Sequence, residues 1–317
     1  MSSKVDDRSA GRLNRRTLLR CAAWGGAGVV WALKGGVPRS FSLIDPVAAA
    51  EARSLAFVQI SDSHIGFNKD ANPDPNATLG AAIEKVRALP SRGGLFMLHT
   101  GDVSHLSKPE ELDTAAQIIG TGGLDVHYVP GEHDVLVDNG SDFFARFNGA
   151  ADRKWYSFDA LGAHFIALTN VLDLRAGGLG RLGEEQIDWL EKDLRGRSAS
   201  TPLIIFTHMP LWDLYPEWGW GTDDSARALT YVKRFGSVTV LNGHVHQVLQ
   251  KVEGHVSFHT AMSTAFPQPA PGTAPSPGPM KVPAETLRSV LGVREITETR
   301  GHGSLAVVDR TLASGRA

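Results

Sequence analysis

The stretch LAFVQISDSH, residues 55–64, passes from a short, mostly apolar run directly into two serines, an aspartate and a histidine. Apolar runs of this length, with aromatic and β-branched residues, are typical of a buried strand. Asp62 and His64 then lie just beyond the carboxyl end of the predicted strand. In open α/β sheets this end is where ligands bind, so both side chains are candidates for a functional site.

The same arrangement, a predicted strand that leads into acids or histidines, recurs further along the chain. These stretches are GLFMLHT (94–100) before Asp102, LDVHYVP (124–130) before Glu132, His133 and Asp134, PLIIFTHMP (202–210) with His208, and SVTVLNGHVH (237–246) with His244 and His246. Because the carboxyl ends of neighbouring parallel strands share one edge of a sheet, we expect these side chains to converge.

Stretches with the apolar spacing of a helix lie between the early strands, whereas the later part of the chain is richer in predicted hairpins. Helices are predicted over 77–89, 108–119 and 183–195, and antiparallel pairs over 154–170 and 247–261. Strands that alternate with helices indicate an α/β fold. The hairpins indicate that its sheet is mixed and not purely parallel.

Composition divides the chain after residue 50 into three parts. A single domain is predicted over residues 51–265, followed by a Pro/Gly-rich linker over 266–283 that can bury little apolar surface. Residues 284–317 form a tail with one modest helix and one possible strand, SLAVVD (304–309). Whether this tail packs on the domain stays open.

Residues 1–50 have the pattern of a secretory signal. The basic stretch NRRTLLR (14–20) precedes the apolar run CAAWGGAGVVWAL (21–33), and Ala48-Ala49-Ala50 offers a cleavage site. The paired Arg15-Arg16 resembles a twin-arginine signal, and the apolar run is too short and glycine-rich to span a bilayer. We therefore predict interaction with the export machinery, cleavage near Ala50 and a periplasmic or otherwise exported protein; a disordered basic tail is the alternative.

Charge and cysteine content restrict the possible chemistry. Residues 1–50 carry eight Lys or Arg against three Asp or Glu, so the remainder of this chain of net charge −2 is acidic. Nucleic-acid binding depends on basic residues that neutralise phosphates, and we expect no such partner. The single cysteine, Cys21, lies within the predicted signal, so a metal site in the domain must use histidines and carboxylates.

Taken together, the polar motifs after the strands resemble those of the calcineurin-like metallophosphoesterase superfamily. That superfamily carries Asp-x-His, Gly-Asp, Gly-Asn-His-Asp/Glu, His and Gly-His-x-His in this order, and residues 54–260 contain DSH, GD, GEHD, THMP and GHVH. Each motif alone is weak, but the ordered set is specific. The resemblance implies a four-layer α/β/β/α metallophosphoesterase sandwich with mixed sheets.

The resemblance also implies a dinuclear metal centre. One ion would be held by Asp62, His64 and His246, a second by Glu132, His208 and His244, and Asp102 would bridge the two. Histidine and carboxylate ligands without thiolates suit Fe, Mn or Zn, and the identity stays open. Two such ions about 3.5–4 Å apart can polarise a phosphoryl oxygen and convert a bridging water to hydroxide, which attacks phosphorus in line.

His133 and Asp134 are the predicted catalytic pair. The resemblance implies that His133 lies near the leaving group, outside the ligand set. A histidine held in the right tautomer there can donate a proton to the leaving oxygen, and Asp134 is expected to orient it. His105, three residues after Asp102, is predicted to support the site rather than to bind an ion.

Glu132 departs from the superfamily, which carries Asn at this position. The glutamate adds a negative charge where a phosphoester anion would bind, a repulsion on the order of 4 kcal/mol at about 4 Å and an effective dielectric of 20. Three interpretations stay open. Glu132 is an oxygen ligand compensated by a trivalent ion such as Fe(III), or it favours a less charged substrate such as a diester, or the metals perform other chemistry.

The loop LWDLYPEWGWGTDD (211–224) follows His208 and is rich in aromatic rings. These rings, on Trp212, Tyr215, Trp218 and Trp220, either stack on flat or apolar parts of a substrate or form a rigid lid packed on itself. The sequence thus predicts an exported dinuclear phosphoesterase that acts on a small-molecule phosphoester, with a diester favoured. The alternatives are a metal-dependent oxidoreductase and a non-catalytic metal-binding envelope protein on the same scaffold.

Overall fold

In the computed structural model, the described residues are 29–34, 37–42, 55–89, 95–174, 178–298 and 305–313. The chain divides into two compact units, Met1–Arg53 and Ser54–Ala317. In the first unit, β1 (Val29–Lys34) pairs antiparallel with β2 (Val37–Ser42), and the rest of the predicted signal lies outside the described residues. Within those ranges, no helix is long and apolar enough to cross a membrane.

The second unit alternates strands and helices along most of its length. Its strands are β3 (Ala56–Ile60), β4 (Met97–Thr100), β5 (Val126–Val129), β6 (Tyr156–Ala160), β7 (Ala163–Ala167), β8 (Leu203–Phe206), β9 (Val238–Asn242), β10 (Leu249–Glu253), β11 (Val256–Thr260), β12 (Gly292–Glu298) and β13 (Leu305–Thr311). Its helices are α1 (Pro75–Arg87), α2 (Pro109–Gly120), α3 (Ser141–Phe147), α4 (Glu184–Leu194), α5 (Ser225–Val232) and α6 (Ala284–Val290).

These strands form two mixed sheets. The first has five strands in the order β13-β12-β3-β4-β5, in which β3, β4 and β5 are parallel and the two C-terminal strands are antiparallel. The second has six strands in the order β10-β11-β9-β8-β7-β6. Its four central strands are parallel, and β10 and β6 close its edges in antiparallel pairs.

Strand residues alternate between two apolar cores, as the two-residue period of a strand requires. In β3, Phe57 packs between the two sheets beside Phe165 and Phe206, whereas Val58 packs outward against α1 and α2. The outer face of the six-stranded sheet is covered in the same way by α4 and α5, through Ile187 and other apolar residues. The prediction of a four-layer α/β/β/α sandwich with mixed sheets is confirmed.

The tail whose packing the sequence left open joins the first sheet. β12 pairs antiparallel with β3, with Ile296 opposite Phe57, and β13 extends the sheet by pairing with β12. Arg294 of β12 is 1% exposed, and its guanidinium donates to both carboxylate oxygens of Asp309 at 2.8 and 3.0 Å. It also donates to the carbonyl of Thr260 at 2.8 Å, which ties the two sheets together.

Candidate metal centre

Loops at the carboxyl ends of β3, β4, β5, β8 and β9 bring together all of the predicted metal ligands. Among the described residues, five groups have potential ligand atoms within 4.8 Å of one another. Two of them include His133, and the other three consist of predicted ligands: Asp62, His64 and His246; Asp62, Asp102 and His208; and Glu132, His208 and His244. The expectation that these side chains converge on one edge of the sheets is therefore met in the structure.

Asp102 lies between the two halves of this cluster. Its Oδ2 atom is 3.4 Å from His64 Nε2 and 3.4 Å from His208 Nε2. On the first side, His246 Nε2 lies 3.2 Å from His64 Nε2 and 3.3 Å from Asp62 Oδ1. One carboxylate oxygen thus faces both groups, which is the position that a bridging ligand needs.

Glu132 reaches the second half of the cluster with both carboxylate oxygens. Oε2 lies 2.8 Å from His208 Nε2, and Oε1 lies 3.0 Å from His244 Nδ1. The residue begins a short 3-10 turn directly after β5, which places its longer side chain over the two histidines. Both carboxylate oxygens of the glutamate therefore face the second half of the cluster.

The backbone at five of the predicted ligands is in the left-handed region. Asp62, His64, Asp102, His244 and His246 have φ between 42° and 66°. This conformation costs a residue with a side chain on the order of 1–3 kcal/mol and persists only where the surroundings enforce it. Its repetition around one cluster indicates loops shaped for a functional site.

Two glycines allow these loops to approach one another. A Cβ on Gly243, in the GHVH motif, would overlap Ser61 Oγ and lie 2.5 Å from Asp62 Oδ2. A Cβ on Gly131, in the GEHD motif, would overlap Asp102 Oδ1. The glycines of both motifs are therefore needed to bring the ligand-bearing loops into contact.

The cluster is buried and leaves polar atoms without partners. Asp62 and His208 are 0% exposed, and His64, Asp102 and His246 are each 2% exposed. Among the described residues, Asp62 Oδ2 and His244 Nε2 are buried without a hydrogen-bond partner. Such atoms normally cost about 1–3 kcal/mol each, and bound cations would satisfy them.

Hydrogen bonds to the backbone orient two of the imidazoles. His208 Nδ1 donates to the carbonyl of Thr100 at 2.7 Å, and His246 Nδ1 donates to the carbonyl of Phe266 at 2.5 Å. In this tautomer the Nε2 lone pair of each ring is directed at the cluster, as in metal sites where the other ring nitrogen is bonded to a carbonyl. The donor set thus fits two metal ions, whose identity it leaves open.

The pKa shifts of Asp62, Glu132 and His64 suit cation binding. Burial alone would raise the pKa of Asp62, but His246 and His208 hold the pKa of this carboxyl below its usual value. Burial would likewise raise the pKa of Glu132, yet His244 and His208 hold that pKa well below its usual value. Burial and the neighbouring His133 lower the pKa of His64, so that its ring is neutral and can donate a lone pair. For His208, burial alone would lower the pKa, but Asp102 and Glu132 raise it well above its usual value, so a cation would have to displace a proton from this ring.

His133 lies at the open side of the cluster. Its backbone amide donates to Asp102 Oδ1 at 3.0 Å, and its Nδ1 donates to the carbonyl of His105 at 2.7 Å. The two rings are stacked with centroids 4.7 Å apart. Burial alone would lower the pKa of His133, but the carboxylates of Asp102 and Glu132 raise it above its usual value, so this imidazole can hold a proton.

The prediction that Asp134 orients His133 is wrong. The carboxylate of Asp134 accepts hydrogen bonds from the amides of Val103, Ser104 and Gly131 and from Ser104 Oγ, at 2.7–3.0 Å. It therefore joins the GEHD loop to the loop of Asp102, and burial raises its pKa to about 7. The carbonyl of His105 orients the imidazole instead, and no side-chain pattern could have indicated this backbone atom.

The aromatic loop is mostly a packed lid. Trp212 packs on Phe258 with ring centroids 5.1 Å apart, and Trp220 is 0% exposed. For these two rings the packing therefore favours the interpretation as a lid packed on itself over contact with substrate. Trp218 is held edge-on by Tyr215 and Trp220, both at 5.1 Å between centroids. Among these four predicted substrate residues, only Trp218 lines the cleft described next.

A cleft of about 480 Å³ opens beside the cluster. Glu132, His133 and His244 form its metal-facing side, and Trp218 lies in its wall. This volume is in the range typical of small-molecule sites. A small ligand can therefore reach the proton on His133 and the cluster at once.

Comparison with known proteins agrees with this geometry. Residues 55–248 match the family model of the calcineurin-like phosphoesterases, and the chain belongs to this family. It is 28% identical over 220 residues to a probable cyclic nucleotide phosphodiesterase of Synechococcus sp., a match that covers 66% of this chain and 80% of that protein. It is 23% identical over 206 residues to a glycerophosphodiester phosphodiesterase of Enterobacter lignolyticus, over 61% and 72% of the two chains.

A solved structure shows the same fold. The dimetal phosphatase from Danio rerio superposes with a TM-score of 0.63 at 14% identity, covering 82% of this chain and 97% of that one. With the family membership and the two curated relatives, this makes the chain a metallophosphoesterase, a hydrolase of phosphoester bonds.

Proposed function

We propose that the chain is an exported phosphodiesterase with a dinuclear metal centre, which uses water to hydrolyse a small-molecule diester. The observation that carries this proposal is the convergence of seven His and carboxylate side chains beside one cleft. Asp62, His64 and His246 would hold one ion, Glu132, His208 and His244 would hold the other, and Asp102 lies between the two groups. When bound, the two ions supply Lewis-acid activation of the phosphoryl group and of water.

The residues of the chain position the substrate and supply the proton. His133, fixed by the carbonyl of His105, donates its proton to the leaving oxygen as charge develops there. Asp102 holds the backbone of His133 beside the cluster through its second oxygen. Proton donor and metal site thus move as one unit, which keeps the leaving oxygen within reach of the imidazole.

Three observations support a diester over a monoester. Both curated relatives described above are named for diester hydrolysis. Glu132 places a negative charge at the cleft, and among the described lining residues there is no Lys or Arg to offset it. A dianionic monoester is repelled by Glu132 more strongly than a monoanionic diester, because the Coulomb energy scales with the substrate charge.

Replacing Glu132 with asparagine is expected to shift selectivity towards monoesters. Removing a charge at about 4 Å changes the interaction energy with each negative charge of the substrate by on the order of 4 kcal/mol. Even a third of this energy corresponds to about a tenfold change in selectivity. The ratio of kcat/KM for 4-nitrophenyl phosphate to that for bis(4-nitrophenyl) phosphate should therefore rise by about tenfold or more. Glu132→Gln, which keeps the length of the side chain and removes its charge, should change the ratio similarly.

Metal content separates this outcome from simple loss of a ligand. If both variants lose one ion and the selectivity ratio does not change, Glu132 acts only as a ligand and the electrostatic argument for a diester fails.

The proposal that the protein is exported rests on the sequence pattern of residues 1–50 alone. Cell fractionation of the full chain should find a shortened protein outside the cytoplasm, and Arg15→Lys combined with Arg16→Lys should retain it inside. Equal export of both forms would contradict a twin-arginine route.

A further inference from the structure

The cleft beside His133 has an apolar wall. Val135 and Leu136 follow the proton donor directly, and Val171, Leu174 and Met209 line the same cleft. Leu136 is 58% exposed and Val137, its neighbour, is 72% exposed. Of these two, Leu136 lines the cleft, and together with the other apolar lining residues it offers surface on which an apolar ligand group can pack.

The wall is held rigidly to the proton donor. The amide of Leu136 donates to Ser107 Oγ at 2.9 Å, and the same hydroxyl donates to the carbonyl of His133 at 2.7 Å. The backbone that carries Leu136 is therefore tied to the backbone of His133. Trp218 is 8% exposed and its ring is fixed by edge-on contacts, so it contributes a small, rigid part of the wall.

Charges in the cleft disfavour a second anionic group. Glu132 and Asp173 are the acids among its described lining residues, which include neither Lys nor Arg. Asn139 Nδ2 donates to Asp173 Oδ1 at 3.2 Å, and the amide of Asp173 donates to Asn139 Oδ1 at 3.3 Å. Besides Glu132, His133 and His244, the charged or amide side chains among the described lining residues are Asn139 and Asp173, so few of them suit a sugar or a polyphosphate.

We propose that the substrate is a phosphodiester with an apolar organic substituent, an alkyl or aryl group that packs along Val135, Leu136 and Trp218. This inference rests on the proposed phosphodiesterase function and adds the chemical class of the substituent. It distinguishes this cleft from one built for a polar alcohol or for a chain of phosphates.

A homologous series of substrates tests the inference. Methyl, butyl and octyl 4-nitrophenyl phosphates share one leaving group and differ only in apolar length. Each methylene that becomes buried should raise kcat/KM by about fourfold, so butyl should exceed methyl by on the order of 50-fold. The octyl ester should gain less per methylene once the cleft is filled. Butyl and methyl values within about twofold of each other, or a preference for methyl, would overturn the inference.

Two matched variants locate the effect. Leu136→Asp should lower the butyl-to-methyl ratio at least fivefold, because it replaces part of the apolar wall with a charge. Val252→Asp changes a residue of similar exposure, 64%, on β10, and should leave the ratio unchanged. An equal change of the butyl-to-methyl ratio in both variants would contradict contact between the butyl group and the wall.

A binding measurement distinguishes failure of this inference from failure of the proposed phosphodiesterase function. If the metal-loaded protein hydrolyses none of the esters, the phosphodiesterase proposal fails. Calorimetry with dimethyl and dibutyl phosphate still measures the preference of the cleft, and tighter binding of dibutyl phosphate supports the apolar wall. Equal binding of the two phosphates contradicts it.

Discussion

Replacing Asp102 with alanine is expected to abolish the paired metal site and to lower kcat/KM by on the order of 10³-fold or more. The Oδ2 atom of Asp102 is 3.4 Å from a histidine of each half of the cluster, so its loss would remove a ligand from both proposed ions at once. Metal activation supplies several kcal/mol of transition-state stabilisation, and each 1.36 kcal/mol corresponds to about tenfold in rate.

Elemental analysis together with kinetics checks this expectation. The parent protein should carry two ions per chain, and Asp102→Ala should carry fewer than two. Asp102→Asn keeps the side-chain size and guards against a folding artefact, while Asp152→Ala, at an exposed position, is the control. Two retained ions and undiminished activity in Asp102→Ala would show that the carboxylate does not bridge.

Replacing His133 with alanine is expected to cause the second largest loss of hydrolysis rate. The size of this loss should depend on the leaving group. Proton donation by a positioned side chain contributes about 10²–10⁴-fold to a rate. His133→Ala should lose most of that factor with a dialkyl phosphate, whose alkoxide leaves poorly. It should lose much less with bis(4-nitrophenyl) phosphate, because nitrophenolate leaves without a proton.

The readouts distinguish a proton donor from a merely structural residue. His133→Ala should keep both ions, since His133 is not among the proposed ligands, and His255→Ala, at an exposed position, should behave as the parent protein. A loss of equal size with both leaving groups, together with a loss of metal, would assign His133 to the ligand set instead.

The positions of the proposed ligands could be predicted because each follows a recognisable strand. Asp62, Asp102 and His208 come just after short buried strands, and the topology of parallel strands brings such positions to one edge. The predicted strand over 55–60 is observed as Ala56–Ile60, which shows how strongly an apolar run constrains this part of the fold.

The C-terminal strand β12 could not be predicted because charged residues interrupt its apolar pattern. Arg294 and Glu295 lie in its middle, and in water such residues disfavour a buried strand. In the fold, Arg294 is paired with Asp309 and Glu295 with Arg310, and both partners lie on β13. The compensation depends on a pairing across the sheet, which local sequence does not contain.

The direction of a side chain is the second feature that could not be predicted from local sequence. Asp134 stands beside His133 in the chain, yet its carboxylate is directed at the amides of Val103 and Ser104. Trp212 and Trp220 share a loop with Trp218, but of these three rings only Trp218 lines the cleft. Sequence proximity indicates which residues lie near a site, and packing decides which of them face it.

The central claim is that seven side chains from five loops hold two metal ions in one site. Anomalous diffraction at the absorption edge of the native metal, on crystals of natively produced protein, tests it most directly. We expect two peaks, one among Asp62, His64 and His246 and the other among Glu132, His208 and His244, with the carboxylate of Asp102 between them. A metal-free cluster in protein that also fails to take up added Fe, Mn or Zn, or one peak away from these residues, would contradict the account.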